Sequence, residues 1–257
     1  MSSIDTDTLH LQWALSYPFP RPQSAFVFLN GASWPLIDTQ GEFGDWVIET
    51  PEGQRSFTNV LPPSELTALQ SGDYHAVAAV GSNAAPAQLR RKFRDHIDNV
   101  CIPVLQIDIP NHVVAYANRI AAYGSIPATL VPHEGGSVRV WATLLSSRDY
   151  EVMNATEDRG EIYDGIPIHP VNLPDAITRP FEGYACLTGH LPLLVSAFES
   201  KGSDLPVGGQ WEAQAAAIRA LGLDLSVDRF VLENTADPEL RNRRDQDLSG
   251  ARRQTRR

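Results

Sequence analysis

The chain has 257 residues, of which 42% are hydrophobic and 20% are charged, a balance typical of a globular protein with a sizeable core. No stretch approaches the roughly 20 apolar residues of a membrane-spanning helix. The polar, acidic start MSSIDTDT lacks the basic and apolar regions of a signal peptide. Cys101 and Cys186 lie far apart, without metal-type spacing, which fits a reducing compartment. We therefore expect a cytoplasmic protein without a membrane partner.

The formal net charge of −10 is unevenly distributed along the chain. Residues 241–257 carry seven arginines and two aspartates, and the remainder has 14 basic against 29 acidic residues, a charge of −15. An acidic body repels a phosphate backbone, which argues against a nucleic-acid partner. We interpret the arginine-rich segment as a solvated, disordered end. A weaker alternative is that it binds an anionic partner in a regulatory role.

The first 73 residues are expected to form an extension that packs on the core. Residues 1–25 show little periodicity and end in the proline-rich YPFPRPQS, which favours a surface arm; the strand FVFLNG follows. DWVIETPEGQRSFTNV is predicted to form a hairpin that turns at PEG. SELTALQSG is predicted to form a helix with Ser64 as N-cap and Gly72 as stop. Packing is expected because this part holds three of the five tryptophans, Trp13, Trp34 and Trp46.

The segment after residue 74 changes from a strand pattern to a helix pattern. Residues 75–80, HAVAAV, form an apolar run typical of a strand covered on both faces. Pro86 suits the first turn of a helix. Apolar residues then recur at helical spacings of four, four and three: Leu89, Phe93, Ile97 and Val100. The turn Gly81-Ser82-Asn83 is therefore predicted to join a buried strand to a helix.

Strands dominate the next part of the chain: PVLQIDI, HVVAYANR, PATLV and SVRVWATLL. Gly135-Gly136 is predicted as the hairpin turn between the last two. The helix RDYEVMNATE is expected to begin at Ser146 or Ser147 and to end near Gly160, before a strand around EGYACLTG and a final helix over 209–222. Because strands outnumber helices without regular βαβ alternation, we predict an α+β fold, a curved or closed mixed sheet flanked by helices.

The Gly81-Ser82-Asn83 turn is the first candidate site. A tight bend between a strand and a helix directs several backbone N–H groups into one concavity, at the positive end of the helix dipole. Such a concavity binds a carboxylate or stabilises an oxyanion. Gly81 allows a ligand to approach closely, and Asn83 tolerates left-handed geometry or caps the helix. The alternative is an ordinary turn, in which glycine and asparagine are common.

Glu157 is the second candidate. It shares one stripe of the predicted helix with Tyr150 and Met153, so its carboxyl group is expected to face inward. Burial and the negative end of the helix dipole both favour the protonated form. Such a group can accept a proton and later return it. The alternative is a glutamate at a fraying helix end that reaches water beside Asp158 and Glu161.

Sequence motifs of other enzyme classes are not found. There is no GxSxG elbow, HExxH pair, Walker loop or GxGxxG after a strand, and the seven histidines are scattered. We therefore expect neither a metal nor an organic cofactor.

Together the two candidates resemble the gamma-glutamyl cyclotransferase-like family. AVGSNAAPAQL is similar to the family's loop YGSN-x-x-P-x-x-L, and IPATLVPHEGGSVRVWATLLSSRDYEVMNATE to its strand hairpin and the helix that ends L-D-x-x-E-G. The resemblance covers about residues 74–200, roughly half of the chain. Three positions depart from the family pattern: Val80 replaces the loop tyrosine, Asn154 the aspartate, and Asp158 the glycine.

The resemblance implies a small mixed β-barrel with flanking helices over 74–200, preceded by the 1–73 extension and followed by a helical region over 201–240 and the arginine-rich tail over 241–257. It implies that Glu157 acts as acid and base on a γ-glutamyl amide, releasing 5-oxoproline and an amine without a cofactor or metal. The substrate would be a small-molecule amide, held by the loop residues Val80, Gly81, Ser82 and Asn83. A related amide-cleaving reaction, or a non-catalytic binding or interaction module on the same fold, remains the alternative. The sequence does not indicate the oligomeric state.

Overall fold

A computed structural model of the chain describes residues 5–196, 200–201 and 207–250. In this part of the chain, strands join into one sheet that helices flank, so the predicted α+β class is confirmed. None of the helices within these ranges is long and apolar enough to cross a membrane.

The described helices and strands alternate irregularly along the chain. The α-helices are α1 (Thr6–Leu15), α2 (Phe57–Val60), α3 (Pro63–Ser71), α4 (Pro86–Lys92), α5 (Ser147–Thr156), α6 (Gln210–Ala220), α7 (Val227–Ala236) and α8 (Pro238–Gly250). The strands are β1 (Phe26–Leu29), β2 (Ala32–Asp38), β3 (Val47–Thr50), β4 (Gly53–Ser56), β5 (His75–Ala79), β6 (Cys101–Ala117), β7 (Ala128–Leu145), β8 (Tyr163–Ile168), β9 (Phe181–Cys186), β10 (His190–Ser196), β11 (Ser200–Lys201) and β12 (Val207–Gly208).

The sheet is mixed. Its neighbouring strands run in the order β4-β3-β2-β1-β6-β7-β5-β9-β8, and β10 adds to the second half of β6. The β5–β9 and β10–β12 pairs are parallel, and the other pairs are antiparallel. Since these pairings form an open path from β4 to β8 within the described residues, closure into a barrel stays a prediction.

The long β6–β7 pair lies at the centre of the sheet, and it corrects the predicted hairpin. The two strands pair from Val104 opposite Thr143 to Tyr116 opposite Ala128, so their connection is the loop 118–127 and not Gly135-Gly136. The two glycines belong to a bulge inside β7, where Asn111 of β6 accepts a hydrogen bond from the Gly135 N–H. Gly135 has a positive φ, a conformation that glycine adopts in β-bulges as well as in turns.

Strand β5 is covered on both faces, as its apolar run predicted. Ala76 and Ala78 pack in one cluster of the core with Trp46, whereas Val77 and Ala79 pack in another. Burial on both faces fixes the position of β5, and with it the position of the loop that follows.

The helix predicted from Pro86 is shorter than expected. Helix α4 ends at Lys92, and a 3₁₀ segment, Arg94–Asn99, continues toward β6. The predicted stop of α3 at Gly72 is confirmed by its left-handed backbone, but the N-cap is Pro62 and not Ser64.

The segment that begins with helix α1 packs on the core through Ala14, Tyr17 and Phe19, and the sequence pattern missed this helix. Tyr17 and Phe19 follow this helix and are buried. The Trp46 side chain is fully buried, whereas Trp13 is largely exposed and stacks on the Phe19 ring at 4.4 Å between centroids. The hairpin β3–β4 is confirmed, with the final FTNV forming α2 instead of continuing the strand.

The C-terminal helices form a third cluster of the core with α1, which includes Ala14, Phe230 and Leu248. The interpretation of 241–257 as a solvated end is therefore wrong for residues 241–250, which belong to α8. Arg244 of this helix pairs with Glu233 of α7 at 2.6 Å. Residues 251–257 lie outside the described residues.

We predict that the Glu233 pairing stabilises the fold in a pH-dependent way. Hydrogen bonds from Arg244 and then Arg229 lower the pKa of Glu233 in the folded chain. A lowered carboxyl pKa contributes stability above the pKa of the unfolded state, and this stability is lost as the pH falls through the folded-state pKa. Glu233→Gln should therefore lower the thermal unfolding midpoint at pH 7 and change it little near pH ~3.

Glu239→Gln is the matched control, because the Glu239 side chain is 91% exposed and lies 4.0 Å from Arg243. Such a surface pair contributes little, so this variant should match the original chain at both pH values. Circular dichroism melting curves measure the difference. An equal loss by Glu233→Gln at both pH values would contradict the assignment.

Candidate active site

A cavity of about 420 Å³ lies at the end of β5. Both candidates from the sequence line it: Glu157, and the loop residues Val80, Gly81, Ser82 and Asn83. The structure therefore brings the inward carboxylate and the strand-to-helix turn into one cavity.

The backbone N–H groups of the Gly81-Ser82-Asn83 loop have no partner in the described part of the chain. Gly81 precedes a short 3₁₀ turn, Ser82–Ala84, and Pro86 then begins α4. Among the described residues, no hydrogen bond is made by the backbone N–H groups of Gly81, Ser82 or Asn83. The Oδ1 atom of Asn83 is buried and also has no partner within this part of the chain. Unpaired polar groups are costly in a protein interior, so the loop is suited to a polar ligand that would pair with them.

Tyr17 of the N-terminal arm packs directly on this loop. Its hydroxyl oxygen accepts a hydrogen bond from the Ala128 N–H at 2.8 Å. A Cβ atom added to Gly81 would overlap that same oxygen, so glycine is the residue that fits here. Arg21 also donates to the Gly81 carbonyl, at 3.4 Å. The arm therefore forms part of the cavity wall and leaves the cavity open.

The tyrosines of the wall keep their protons at neutral pH. Burial raises the pKa of Tyr123 to about 12, against a smaller opposite effect of its hydrogen bond with Ser82. Burial also raises the pKa of Tyr17 and Tyr163 well above the ordinary value. These phenols are hydrogen-bond donors throughout the physiological range.

Glu157 follows α5 directly, as the residue that caps its C-terminal end. Its Oε1 atom lies 2.5 Å from Nζ of Lys92, whose side chain is 3% exposed, compared with 18% for Glu157. Lys92 also donates to Oγ1 of Thr156 at 2.8 Å. This ion pair between α4 and α5 was not predicted from the sequence.

Lys92 is a site residue that the sequence reasoning missed. It lies within the basic run 90–92 at the end of α4. One signal could have found it, because Lys92 comes three residues after Leu89 and thus shares its inward stripe.

Two departures from the family pattern have a structural explanation. Oδ1 of Asn154 accepts a hydrogen bond from the Tyr184 hydroxyl at 2.7 Å, and Tyr184 lines the cavity. Asp158 adopts a positive φ of 47°, a left-handed conformation that glycine favours and that aspartate tolerates. Val80 is buried, and it also lines the cavity without contributing a hydroxyl group.

Helix α8 supplies a charged part of the wall that no local pattern predicted. Oδ2 of Asp245 pairs with Arg119 at 2.7 Å, and its Oδ1 accepts from the Ile120 N–H at 2.7 Å. Burial raises the pKa of Asp245, against the effect of these two partners. Arg241 of the same helix also lines the cavity and donates to the Ala122 carbonyl. Residues 119–123 and α8 are thereby held together.

No group of three or more histidine, cysteine, aspartate or glutamate side chains in the described ranges is arranged to hold a metal ion. Cys101 and Cys186 are both buried and are not bonded to each other.

Comparisons with known proteins give partial structural matches. No protein-family model matches the chain, and no curated protein sequence matches it. A solved gamma-glutamyl cyclotransferase is similar over 61% of this chain and 84% of its own, with 11% identity and a TM-score of 0.37. The family identified from the sequence is thus also found among solved structures that are similar to part of the chain.

Two other solved structures are similar to a comparable extent. An Arabidopsis thaliana protein solved in solution is 18% identical, over 49% of this chain and 76% of its own, with a TM-score of 0.38. An uncharacterised human protein is 11% identical, over 62% of this chain and 85% of its own, also with a TM-score of 0.38.

We predict that Gly81→Ala is destabilising because of Tyr17. The new methyl group would overlap the Tyr17 hydroxyl oxygen, and overpacking of this kind costs about 1–3 kcal/mol. The second substitution, Tyr17→Phe, removes that oxygen. The double variant should therefore lose less unfolding free energy than the sum of the losses of the two single variants. Urea unfolding of the four proteins measures the coupling. Additive losses would show that the two residues do not meet.

Proposed function

We propose that the chain is a divergent gamma-glutamyl cyclotransferase-like enzyme that cleaves a γ-glutamyl amide, or a similar amide of a small amino-acid-like substrate, and releases 5-oxoproline and an amine. The observation that carries the proposal is that one cavity is lined by Glu157 and by the loop Gly81-Ser82-Asn83, whose backbone N–H groups have no partner among the described residues. Its volume of about 420 Å³ is typical of a small-molecule site.

Substrate binding would use the loop. A carboxylate of the glutamyl part would accept hydrogen bonds from the backbone N–H groups, which charge-assisted pairing makes stronger than neutral contacts. The buried Oδ1 of Asn83 is an acceptor for the substrate's ammonium group. Both contacts would pair groups that otherwise lack partners in the described structure.

Proton transfer would use Glu157. The Glu157 carboxylate, which Lys92 holds in the cavity wall, would take a proton from the substrate's ammonium group. The free amine would then attack the γ-carbonyl carbon of the same molecule and form the C–N bond of 5-oxoproline. Glu157 would return that proton to the leaving nitrogen as the original amide bond breaks. The attacking nitrogen, which then carries two hydrogens, would lose one of them to Glu157, and this second proton would pass to the released amine, which leaves as an ammonium ion.

Ring closure within one molecule reduces what the protein has to contribute. Because nucleophile and carbonyl belong to the same substrate, holding the glutamyl part folded converts binding energy into correct geometry. Groups that hold both ends are sufficient for this, and no metal or organic cofactor enters the scheme.

A non-catalytic binding module is the second candidate, and one contact favours it. The 2.5 Å ion pair already neutralises the Glu157 carboxylate, as in a structural link between α4 and α5. In that case the loop would bind a small carboxylate ligand, and Glu157 would hold two helices together.

We predict that Glu157→Gln removes turnover and keeps the fold. Glutamine has the same shape but cannot take the proton, so release of 5-oxoproline should fall by about 10²–10⁴-fold. The measurement is mass-spectrometric detection of 5-oxoproline from a panel of γ-glutamyl amides. Glu161→Gln is the matched control, since Glu161 is exposed nearby and should keep full activity.

Equal turnover by the original chain and Glu157→Gln would refute the role of Glu157. No turnover by the original chain on the whole panel, together with calorimetric binding of 5-oxoproline, would favour the binding module.

We also predict that Lys92→Met lowers turnover by releasing Glu157 from its position. Nζ of Lys92 lies 2.5 Å from Oε1 of Glu157 and 2.8 Å from Oγ1 of Thr156, so the lysine fixes the carboxylate in the cavity wall. Methionine keeps the apolar part of the side chain but makes neither bond, and displacement of the catalytic group should lower kcat/KM by about 10²-fold. Arg90→Met is the control, because Arg90 is exposed and bonds the Gly31 carbonyl instead. An unchanged kcat/KM in Lys92→Met would contradict the assignment.

A further inference from the structure

Tyr17 belongs to the N-terminal arm, outside the residues 74–200 that carry the family resemblance. It is nevertheless part of the cavity wall, and only 7% of the residue is exposed. Its ring is held in place by Phe19, at 5.9 Å between ring centroids, and Phe19 in turn packs on Tyr123. The arm thus adds a fixed phenol to the cavity.

The hydroxyl group of Tyr17 has a hydrogen to donate. Its oxygen accepts the bond from the Ala128 N–H, and no acceptor for its own hydrogen is found among the described residues. Burial, with smaller effects of Tyr123 and Glu157, raises the pKa of this phenol well above the ordinary value, so the proton stays on. A hydroxyl that accepts one hydrogen bond is polarised and donates a stronger one.

The Tyr17 hydroxyl group lies beside the Gly81-Ser82-Asn83 loop. The hydroxyl oxygen occupies the space beside Gly81 that a Cβ atom would need, next to backbone N–H groups that have no partner in the described part of the chain. Among the other phenols of the wall, that of Tyr184 is engaged elsewhere, because it donates to Oδ1 of Asn154.

We propose that Tyr17 donates a hydrogen bond to the carbonyl oxygen of the amide that is cleaved. When the substrate amine forms its bond to the carbonyl carbon, the π electron pair moves to the oxygen, and the Tyr17 O–H stabilises the resulting oxyanion. The pair returns as the bond to the leaving amine breaks, and Tyr17 keeps its proton throughout. This inference rests on the proposed function and adds to it a donor from outside the family core.

The test is Tyr17→Phe, measured as kcat and KM with a γ-glutamyl amide that the original chain cleaves. Loss of an oxyanion donor should lower kcat by about 10²–10³-fold with little change of KM. Affinity for 5-oxoproline, measured by calorimetry, should stay within about threefold, because the planar product carries no oxyanion. A merely structural role would lower kcat and product affinity together.

Tyr74→Phe is the matched control. The Tyr74 hydroxyl is buried without a partner in the described structure and does not line the cavity, so its removal should leave kcat unchanged. A kcat of Tyr17→Phe within about threefold of the original would overturn the inference, while loss of turnover in Glu157→Gln would still uphold the proposed function. An original chain that cleaves no amide would overturn both.

A second variant keeps the hydroxyl group and its bond to Ala128, in case Tyr17→Phe unfolds. Replacing Tyr17 by 3,5-difluorotyrosine makes the phenol more acidic at nearly the same volume. Because a more acidic phenol that keeps its proton donates a stronger hydrogen bond to an oxyanion, kcat at neutral pH should rise, and the same replacement at Tyr74 should leave it unchanged. An unchanged or lower kcat in the Tyr17 variant would overturn the inference.

Discussion

The pairing of β5 with β7 is the constraint on which the site depends. His75 lies opposite Leu145 and Ala79 opposite Trp141, so β5 pairs with the last five residues of β7. Helix α5 begins after the far end of β7, beside His75, where the Tyr150 ring stacks on the His75 ring at 3.9 Å. The 10 residues of α5 span about 15 Å, and the five residues of β5 span about 17 Å. Because the two lengths are similar, the end of α5 lies near the loop that follows β5. Glu157 reaches the Gly81 loop because these two lengths agree.

The same reasoning explains which parts of the site the sequence could predict. The turn at Gly81 and the inward position of Glu157 follow from local signals, an apolar strand before one and a helical stripe around the other. Lys92 lies 65 positions before Glu157, and Tyr17 lies 111 positions before Ala128. Contacts of this kind depend on the path of the sheet, which local spacing does not contain.

The errors of fold prediction have a similar origin. Gly135 and Gly136 indicated a backbone that needs a positive φ, and the structure has one there, but in a bulge instead of a hairpin turn. A pair of glycines indicates the local backbone conformation, whereas the connection between strands depends on how the strands pair. The arginine-rich segment carried few apolar residues, yet α8 is anchored by Leu248 and by the ion pair of Asp245 with Arg119. A few buried contacts were enough to order it.

Charge gives a reason why the cavity would select an anionic ligand. The chain as a whole carries −10, but the cavity wall has four cationic and three anionic side chains, a balance of +1: Arg91, Lys92, Arg119 and Arg241 against Glu157, Asp158 and Asp245. Two of the anions are paired with cations of the same wall. The net negative charge of the chain repels an anionic ligand at a distance, whereas the net positive charge of the cavity wall attracts it once it has entered. Electrostatics would therefore favour anionic over cationic ligands in the cavity without speeding their association. An incoming ammonium group would compete with Lys92 for Glu157, whereas a carboxylate meets donors that have no partner in the described structure. For the proposed amino-acid-like ligand, the cavity would thus be more complementary to the carboxylate group than to the amine. Binding of the carboxylate group by the loop would then position the amine of the same molecule.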